Sequence, residues 1–415
     1  MIAARGESAA FVMVTRETDR GLRWHVVWAE RDRATEDSTQ FRRSSVLKMP
    51  GAAAVGSAVE AVYEGPLAQS GDGRLLAFPG RVRDARSGDE SSGLVVAQIV
   101  EKPGEPGSFA HRAVRIDTVS VGEAVDECTR LAFAPERPRL FVLGAKHVLA
   151  VDLVVDAASG ELVAGPPELV DRADDGTPAD RGPQGACFGE PVGTDAMGRF
   201  VVYGSDATNL DPARRARDFA VYVTDLDPRG TDRLEASNRR TLLVSVDRDG
   251  RFLEGSRPAP RISADGRWVV FQSSAALDSD RVIGGHTGAS ASRSLEYVLC
   301  DLDADRDGTI GNTAPRPYLW RPLIAADHEL VCTRATPRGW LVTRFHGDPK
   351  RSIGILDLAV HIEQPRWELV SDGGEWPSAR ANAASFDGRW VVGCEDRDLE
   401  LRDSLADYLR LRRVP

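Results

Sequence analysis

Four short segments share one plan: a turn signal, then Gly-Arg, then a run of bulky strand formers. They are Ser70-Gly71-Asp72-Gly73-Arg74-Leu75-Leu76-Ala77-Phe78, Asp195-Ala196-Met197-Gly198-Arg199-Phe200-Val201-Val202-Tyr203, Ser263-Ala264-Asp265-Gly266-Arg267-Trp268-Val269-Val270-Phe271 and Ser385-Phe386-Asp387-Gly388-Arg389-Trp390-Val391-Val392. Asp-Gly tolerates the positive φ of a tight hairpin, and the following β-branched and aromatic run suits a buried strand. Each unit is therefore strand, tight turn, strand. A lone hairpin cannot bury both faces, so the units must stack.

The glycines at 73, 198, 266 and 388 are separated by 125, 68 and 122 residues, and the long gaps are about twice 61–62. One degenerate copy is expected in each long gap, at Pro138-Arg139-Leu140-Phe141-Val142-Leu143 and at His328-Glu329-Leu330-Val331-Cys332. One step back from Gly73 reaches Phe11-Val12-Met13-Val14. Seven units of about 60 residues result, a period that points to a β-propeller. The expected fold is all-β: a single propeller of four-stranded antiparallel blades, seven of them with six as the alternative. The units fall near 7–50, 51–118, 119–185, 186–246, 247–320, 321–370 and 371–415 of a 1–415 domain. The termini should close the ring within one blade. The alternation in Tyr408–Val414 suits a strand, though a short helix over Ser404–Leu411 is also readable.

The segment Thr241–Asp278, with Val244-Ser245-Val246-Asp247-Arg248-Asp249-Gly250 ahead of the Ser263–Phe271 hairpin, resembles the PD40 repeat of TolB-like β-propellers. Gly204-Ser205-Asp206-Ala207-Thr208-Asn209-Leu210 is similar to the loop after that family's second strand. The resemblance is close over 190–310, weaker at 68–100 and 383–402, and only periodic elsewhere. It implies a bacterial propeller in a family of scaffolds, binding proteins and a few enzymes, so it leaves function open.

The formal charge of −10 argues against nucleic acid or an anionic membrane surface as the main partner. Among 53 cationic side chains only Lys48, Lys102, Lys146 and Lys350 are lysines, a bias that GC-rich coding explains, with an arginine-dependent interface as the alternative. Five cysteines without a Cys-x-x-Cys pair read as reduced thiols, buried at Cys300, Cys332 and Cys394. No stretch is apolar enough to insert in a membrane. If Met1 is the native start, the expected location is cytoplasmic; if a signal peptide preceded this chain, it is periplasmic or secreted.

The sharpest chemical motif is Asp301-Leu302-Asp303-Ala304-Asp305-Arg306-Asp307-Gly308-Thr309-Ile310. Alternate carboxylates before a glycine match the start of an oxygen-rich Ca²⁺ loop, with side chains of Asp303, Asp305 and Asp307 and the carbonyl of Thr309 as ligands. The resemblance adds that such Asp-rich loops follow the third strand of these repeats. Ala314 stands where an EF-hand places its bidentate Glu, so a structural Ca²⁺ and a solvated acidic turn both remain readings. The matching loop Asp225-Leu226-Asp227-Pro228-Arg229-Gly230-Thr231-Asp232 puts Arg229 and Thr231 in place of two carboxylates and reads as a plain hairpin.

Nucleophile elbow, zinc-helix, P-loop and dinucleotide signatures are missing, so no catalytic residue and no cofactor other than Ca²⁺ is assigned. The leading expectation is a non-catalytic propeller that binds another protein as scaffold, adaptor or regulatory subunit. Its candidate loops are Arg81–Ser92, Asp171–Gly185, Asp206–Asp218 and Leu277–Ser294, the last two on one face. The alternatives are a propeller hydrolase or lyase with a metal or His/carboxylate site in the central channel, and an exported carbohydrate- or envelope-binding propeller. Trp268 and Trp390, at equivalent repeat positions, are expected between blades; Trp376 is a candidate contact residue.

Overall fold

The computed structural model describes 29 strands between residues 8 and 413, and side chains chiefly within 67–79, 94–100, 130–181, 193–211, 219–231, 239–253, 260–273 and 298–318. None of the described residues is helical.

The strands form seven sheets that succeed one another along the chain. The first holds β1 (Ser8–Glu17), β2 (Gly21–Arg31) and β3 (Phe41–Leu47). The second is β4 (Ser57–Val62), β6 (Leu75–Asp84), β7 (Glu90–Glu101) and β8 (Phe109–Ile116), with β5 (Ala68–Gln69) continuing β4 along β6. The third runs through β9 (Arg130–Phe133), β10 (Arg139–Leu143) and β11 (Val148–Val155), which pairs with both β12 (Leu162–Ala164) and β13 (Glu168–Leu169). The fourth is β14 (Val192–Thr194), β15 (Phe200–Ser205), β16 (Ala220–Asp225) and β17 (Arg240–Leu243). The fifth takes β18 (Ser256–Ile262), β19 (Trp268–Ser273), β21 (Glu296–Asp301) and β22 (Arg316–Trp320), and β20 (Val282–Ile283) joins β22 in parallel. The sixth is β23 (Leu330–Thr336), β24 (Gly339–Phe345), β25 (Arg351–Asp357) and β26 (Arg366–Ser371). The seventh is β27 (Arg380–Ala384), β28 (Trp390–Cys394) and β29 (Leu409–Arg413). Consecutive antiparallel meanders of this kind are the blades of a propeller.

Central strands lack polar alternation because both of their faces are covered. Every residue of β10, β15 and β16 is buried. Leu140 and Val142 of β10 pack with Leu75, Ala77 and Leu94 of the second sheet. Phe141 and Leu143, on the other face, pack with Val201 and Tyr203 of the fourth. Phe200 and Val202 then meet Ile262, Val269 and Phe271 of the fifth. The period-2 geometry of a strand thus sends alternate side chains into two successive cores.

The repeated turn is the same in three sheets. The amides of Leu75, Phe200 and Trp268 donate to Ser70 Oγ, Asp195 Oδ1 and Ser263 Oγ at 2.8, 2.7 and 2.8 Å. Gly73, Gly198 and Gly266 take φ of 73°, 68° and 76°. The corresponding turns of the third, fourth and fifth sheets sit side by side: Glu136 N donates to Ala196 O at 2.9 Å, and Ala196 N to Ala264 O at 2.8 Å. The third, fourth and fifth sheets therefore stack in one orientation.

Three expectations need correction. The first and last strands lie in different sheets, so the termini do not share a blade among the described strands. Residues 330–332 open β23, the first strand of their sheet; the second strand is β24, which pairs with β23 antiparallel from Thr336↔Gly339 onward. Arg139 does not match Arg199. Its cross-strand partner is Asp152, as that of Phe200 is Asp225 and that of Trp268 is Asp301, so Arg139 occupies the aromatic position. Leu409–Arg413 is a strand, as its alternation suggested, and the helical alternative falls away. Cys300 is a free, buried thiol, pushed up in pKa by that burial. Trp268 is only partly buried, tilted against Tyr318 at 6.3 Å between centroids. The side chains of Trp376, Trp390, Cys332 and Cys394 lie outside the described set.

Candidate metal centre and loop face

Asp301 closes β21 and fixes the start of the acidic loop. Its carboxylate takes a two-pronged bond from Arg267, Nε and Nη2 both at 2.8 Å, and Oδ1 also accepts from Asp303 N at 3.1 Å. Leu302, fully buried, anchors the hairpin by donating to Arg267 O at 2.9 Å. The chain then turns through Arg306 at φ 60° and Gly308 at φ 84°. This brings ligand atoms of Asp303, Asp305 and Asp307 within 4.8 Å of one another. Asp303 is buried, while Asp305 and Asp307 are exposed. Gly308 N donates to Asp303 Oδ1 at 3.3 Å, Thr309 N to Asp307 Oδ1 at 2.7 Å, and Asn312 Nδ2 to Asp307 Oδ2 at 2.7 Å. An all-oxygen set of three carboxylates fits a hard divalent cation. Such an ion would be held by the carboxylates of Asp303, Asp305 and Asp307.

The fourth sheet supplies an internal comparison. Arg199 grips Asp225 through Nε and Nη2 at 2.9 and 2.7 Å, and Asp227 N caps back to Asp225 Oδ1 at 2.9 Å. There Thr231 donates its amide and hydroxyl to Asp227 Oδ1 at 2.8 and 3.1 Å. The threonine fills with hydrogen bonds the space that Asp307 leaves charged one sheet later.

The Arg–Asp fork is the feature that motif reading missed. It recurs as Arg139–Asp152, with Nε to Oδ1 at 2.6 Å and Nη2 to Oδ2 at 3.0 Å. The legible signal is the repeated Asp-Leu at 152–153, 225–226 and 301–302, where the leucines are buried.

At the opposite end of the strands two expected loops meet. Thr208 donates its amide to Asp180 Oδ1 at 2.8 Å and its hydroxyl to Asp180 Oδ2. Asp180 N donates to Asn209 Oδ1 at 2.9 Å, and Asn209 Nδ2 to Pro178 O at 2.7 Å. Residues 177–181 of the third sheet and 206–210 of the fourth thus form one braced surface. Of Leu277–Ser294 only Val282–Ile283 is described, and of Arg81–Ser92 only its two strand ends, so these loops lie outside the described residues.

His147 Nδ1 lies 3.1 Å from Asp171 Oδ2, while Val148 N donates to Asp171 Oδ1 at 2.9 Å. Burial pushes the Asp171 carboxyl up, against these bonds. The pair contains one carboxylate. Among the described residues the Asp303–Asp307 trio is the sole group of three potential ligands, and it includes no histidine.

Asp195 stands where the neighbouring turns have Ser70 and Ser263. Burial pushes its carboxyl from the ordinary 3.8 up to about 6. A raised acid binds its proton more tightly folded than unfolded, so its contribution is favourable below pH 4 and is lost as pH rises through 6. Two units correspond to roughly 3 kcal/mol of buried-charge cost at neutral pH. Asp195→Ser keeps the acceptor for Phe200 N and removes that charge. We expect it to raise stability at pH 7 by about 2 kcal/mol in urea unfolding, with the gain vanishing near pH 4. A gain independent of pH would show that the carboxylate is not the cause.

No protein-family model and no curated protein matches the chain. Solved structures that resemble it include the periplasmic gluconolactonase PpgL of Pseudomonas aeruginosa, at 15% identity over 98% of this chain and 100% of that one, with a TM-score of 0.40. The β-propeller domain of the Trilobed protease from Pyrococcus furiosus matches at 12% over 99% and 95%, TM-score 0.46. Chaetomium thermophilum Sqt1, bound to the N-terminus of ribosomal protein L10, matches at 12% over 95% and 80%, TM-score 0.44. At these scores no activity or partner carries over, and the fold assignment rests on the sheets themselves.

Proposed function

We propose that this chain is a non-catalytic, TolB-like propeller that binds another protein through the loop end of its sheets. The observation behind this reading is the reciprocal bracing of Asp180 with Thr208 and Asn209, which makes two loops of adjacent sheets one preformed surface. Preformed surfaces bind without the entropy cost of ordering loops. The test is affinity purification of the tagged chain from its native host, beside a Thr208→Ala/Asn209→Ala variant. One stoichiometric partner that survives moderate salt and is lost from the variant is expected. A chain that elutes alone, or a partner retained equally by the variant, overturns the reading.

Asp303, Asp305 and Asp307, with the Thr309 carbonyl, are proposed to hold a structural Ca²⁺ that stiffens the hairpin after β21. Ligand linkage then raises stability with Ca²⁺, by about 2–3 kcal/mol at a hundredfold excess over Kd, and with it the melting temperature. Asp305→Asn/Asp307→Asn should abolish the response; melting indifferent to Ca²⁺ in the parent chain excludes the ion.

A further inference from the structure

Asp171 and Ser245 hold one position in successive sheets. The amide of Val148 donates to Asp171 Oδ1 at 2.9 Å, and that of Val221 to Ser245 Oγ at 2.9 Å. The carbonyls of Asp171 and Ser245 accept Ala179 N and Leu253 N, both at 2.9 Å, and close two matching hairpins with bridges Arg172↔Pro178 and Val246↔Phe252. A neutral hydroxyl therefore suffices to hang such a hairpin. The third sheet uses a carboxylate instead, 1% exposed, and its neighbour changes with it: His147 stands where the fourth sheet has Ala220. His147 Nδ1 meets Asp171 Oδ2 at 3.1 Å, and the histidine side chain is 21% exposed. Burying a carboxylate is costly for a bond that serine makes without charge. The partly exposed imidazole links that carboxylate to solvent, and imidazole is the side chain that titrates near neutrality.

We infer that His147 and Asp171 form a proton-operated latch on the loop face. With a proton on the pair, its charges cancel and the Asp171–Ala179 hairpin stays seated. Without that proton a bare carboxylate is left buried, and the hairpin loosens. The hairpin leads directly into Asp180, so the brace to Thr208 and Asn209 loosens with it. Tyr203, fully buried on β15, faces Asp171; its own burial, and then the Asp171 charge, push its hydroxyl up, so it stays neutral. Of the nearby cations, Arg172 donates to Gly176 O and Arg181 to Asp206. Burial raises the Asp171 carboxyl against the pull of His147 and the Val148 amide. A carboxyl raised in the closed form favours closure below its ordinary range, about 4, and loses that contribution as pH rises. The latch thus holds at mildly acidic pH and slackens through neutrality. It rests on the docking proposal only for its consequence, that partner binding weakens as pH rises.

The test is amide hydrogen exchange on the full chain from about pH 5.5 to about pH 7.5, corrected for the intrinsic rate, beside Asp171→Ser and His147→Gln. Protection of the Val148, Ala179 and Thr208 amides should fall about tenfold across that range in the parent. Asp171→Ser keeps an acceptor for Val148 N and His147→Gln keeps a donor, so both should fold, which protection of Val202 in β15 reports. Each should make the protection of the loop amides independent of pH. Asp195→Ser, at the other end of the strands, should keep the parent's profile. A profile that is flat in the parent, that falls equally in both latch variants, or that Asp195→Ser flattens overturns the inference. No partner enters the measurement, so a missing partner would sink the docking reading and leave the latch, and a flat profile would do the reverse.

Discussion

Replacing Arg139 with methionine should lower the unfolding free energy by about 3–5 kcal/mol, the largest loss expected from one substitution in the described region. The guanidinium is 1% exposed and joins two sheets: its fork holds Asp152 and its third bond reaches the Gly198 carbonyl. Methionine fills the volume but leaves a partly buried carboxylate and a buried carbonyl without their donor. Arg139→Lys keeps the charge yet cannot make the fork and the third bond together, so a loss of about 2 kcal/mol is expected. Asp152→Asn combined with Arg139→Met should cost less than the sum of the single changes in denaturant unfolding. Additive losses would mean that the fork contributes no coupling.

Gly266→Ala should cost about 2–4 kcal/mol. Two effects add: φ of 76° disfavours any L side chain, and the new Cβ would stand 2.5 Å from Phe200 Cδ2 in the preceding sheet. Gly250→Ala separates them, since its φ is 77° but nothing lies within 4 Å of the added carbon. That control should lose only about 1–2 kcal/mol. Equal losses at both positions in thermal and urea unfolding would show that the turn does not press on Phe200.

The same turn explains what was legible in the sequence. Ser/Asp, Gly and Arg sit at fixed offsets because backbone geometry requires them, so Gly73, Gly198 and Gly266 could be found without coordinates. The propeller architecture followed from their spacing. Register was harder. Pro138 takes the place where the fourth and fifth sheets have Arg199 and Arg267, and the arginine moves one residue on, to the other face of the strand. Composition does not report a one-residue slip. In the sixth unit the apolar run at Leu330 looks like a second strand, yet Thr336 pairs with Gly339 of β24 and makes it the first. β20 is two residues within a Gly/Ser-rich stretch and has no pattern of its own.

The candidate metal loop was legible residue by residue, because alternate carboxylates before glycine are a chemical signature. What holds it was not: Arg267 lies 34 residues before Asp301, and only strand pairing brings them together. The loop bracing was also hidden, since Asp180 and Asn209 belong to different sheets and neither stands in a recognisable motif.

The proposed loop surface depends on one structural claim, that successive sheets stack in a single orientation with their turns in contact. Native-state hydrogen exchange of the Glu136 and Ala196 amides tests it most directly. Both lie in surface turns, where an unbonded amide exchanges freely, yet each donates to the turn of the next sheet. The stacked arrangement predicts protection of roughly a thousandfold or more, comparable with strand amides. Exchange of both at unprotected rates would contradict the stacking, and with it the shared loop face.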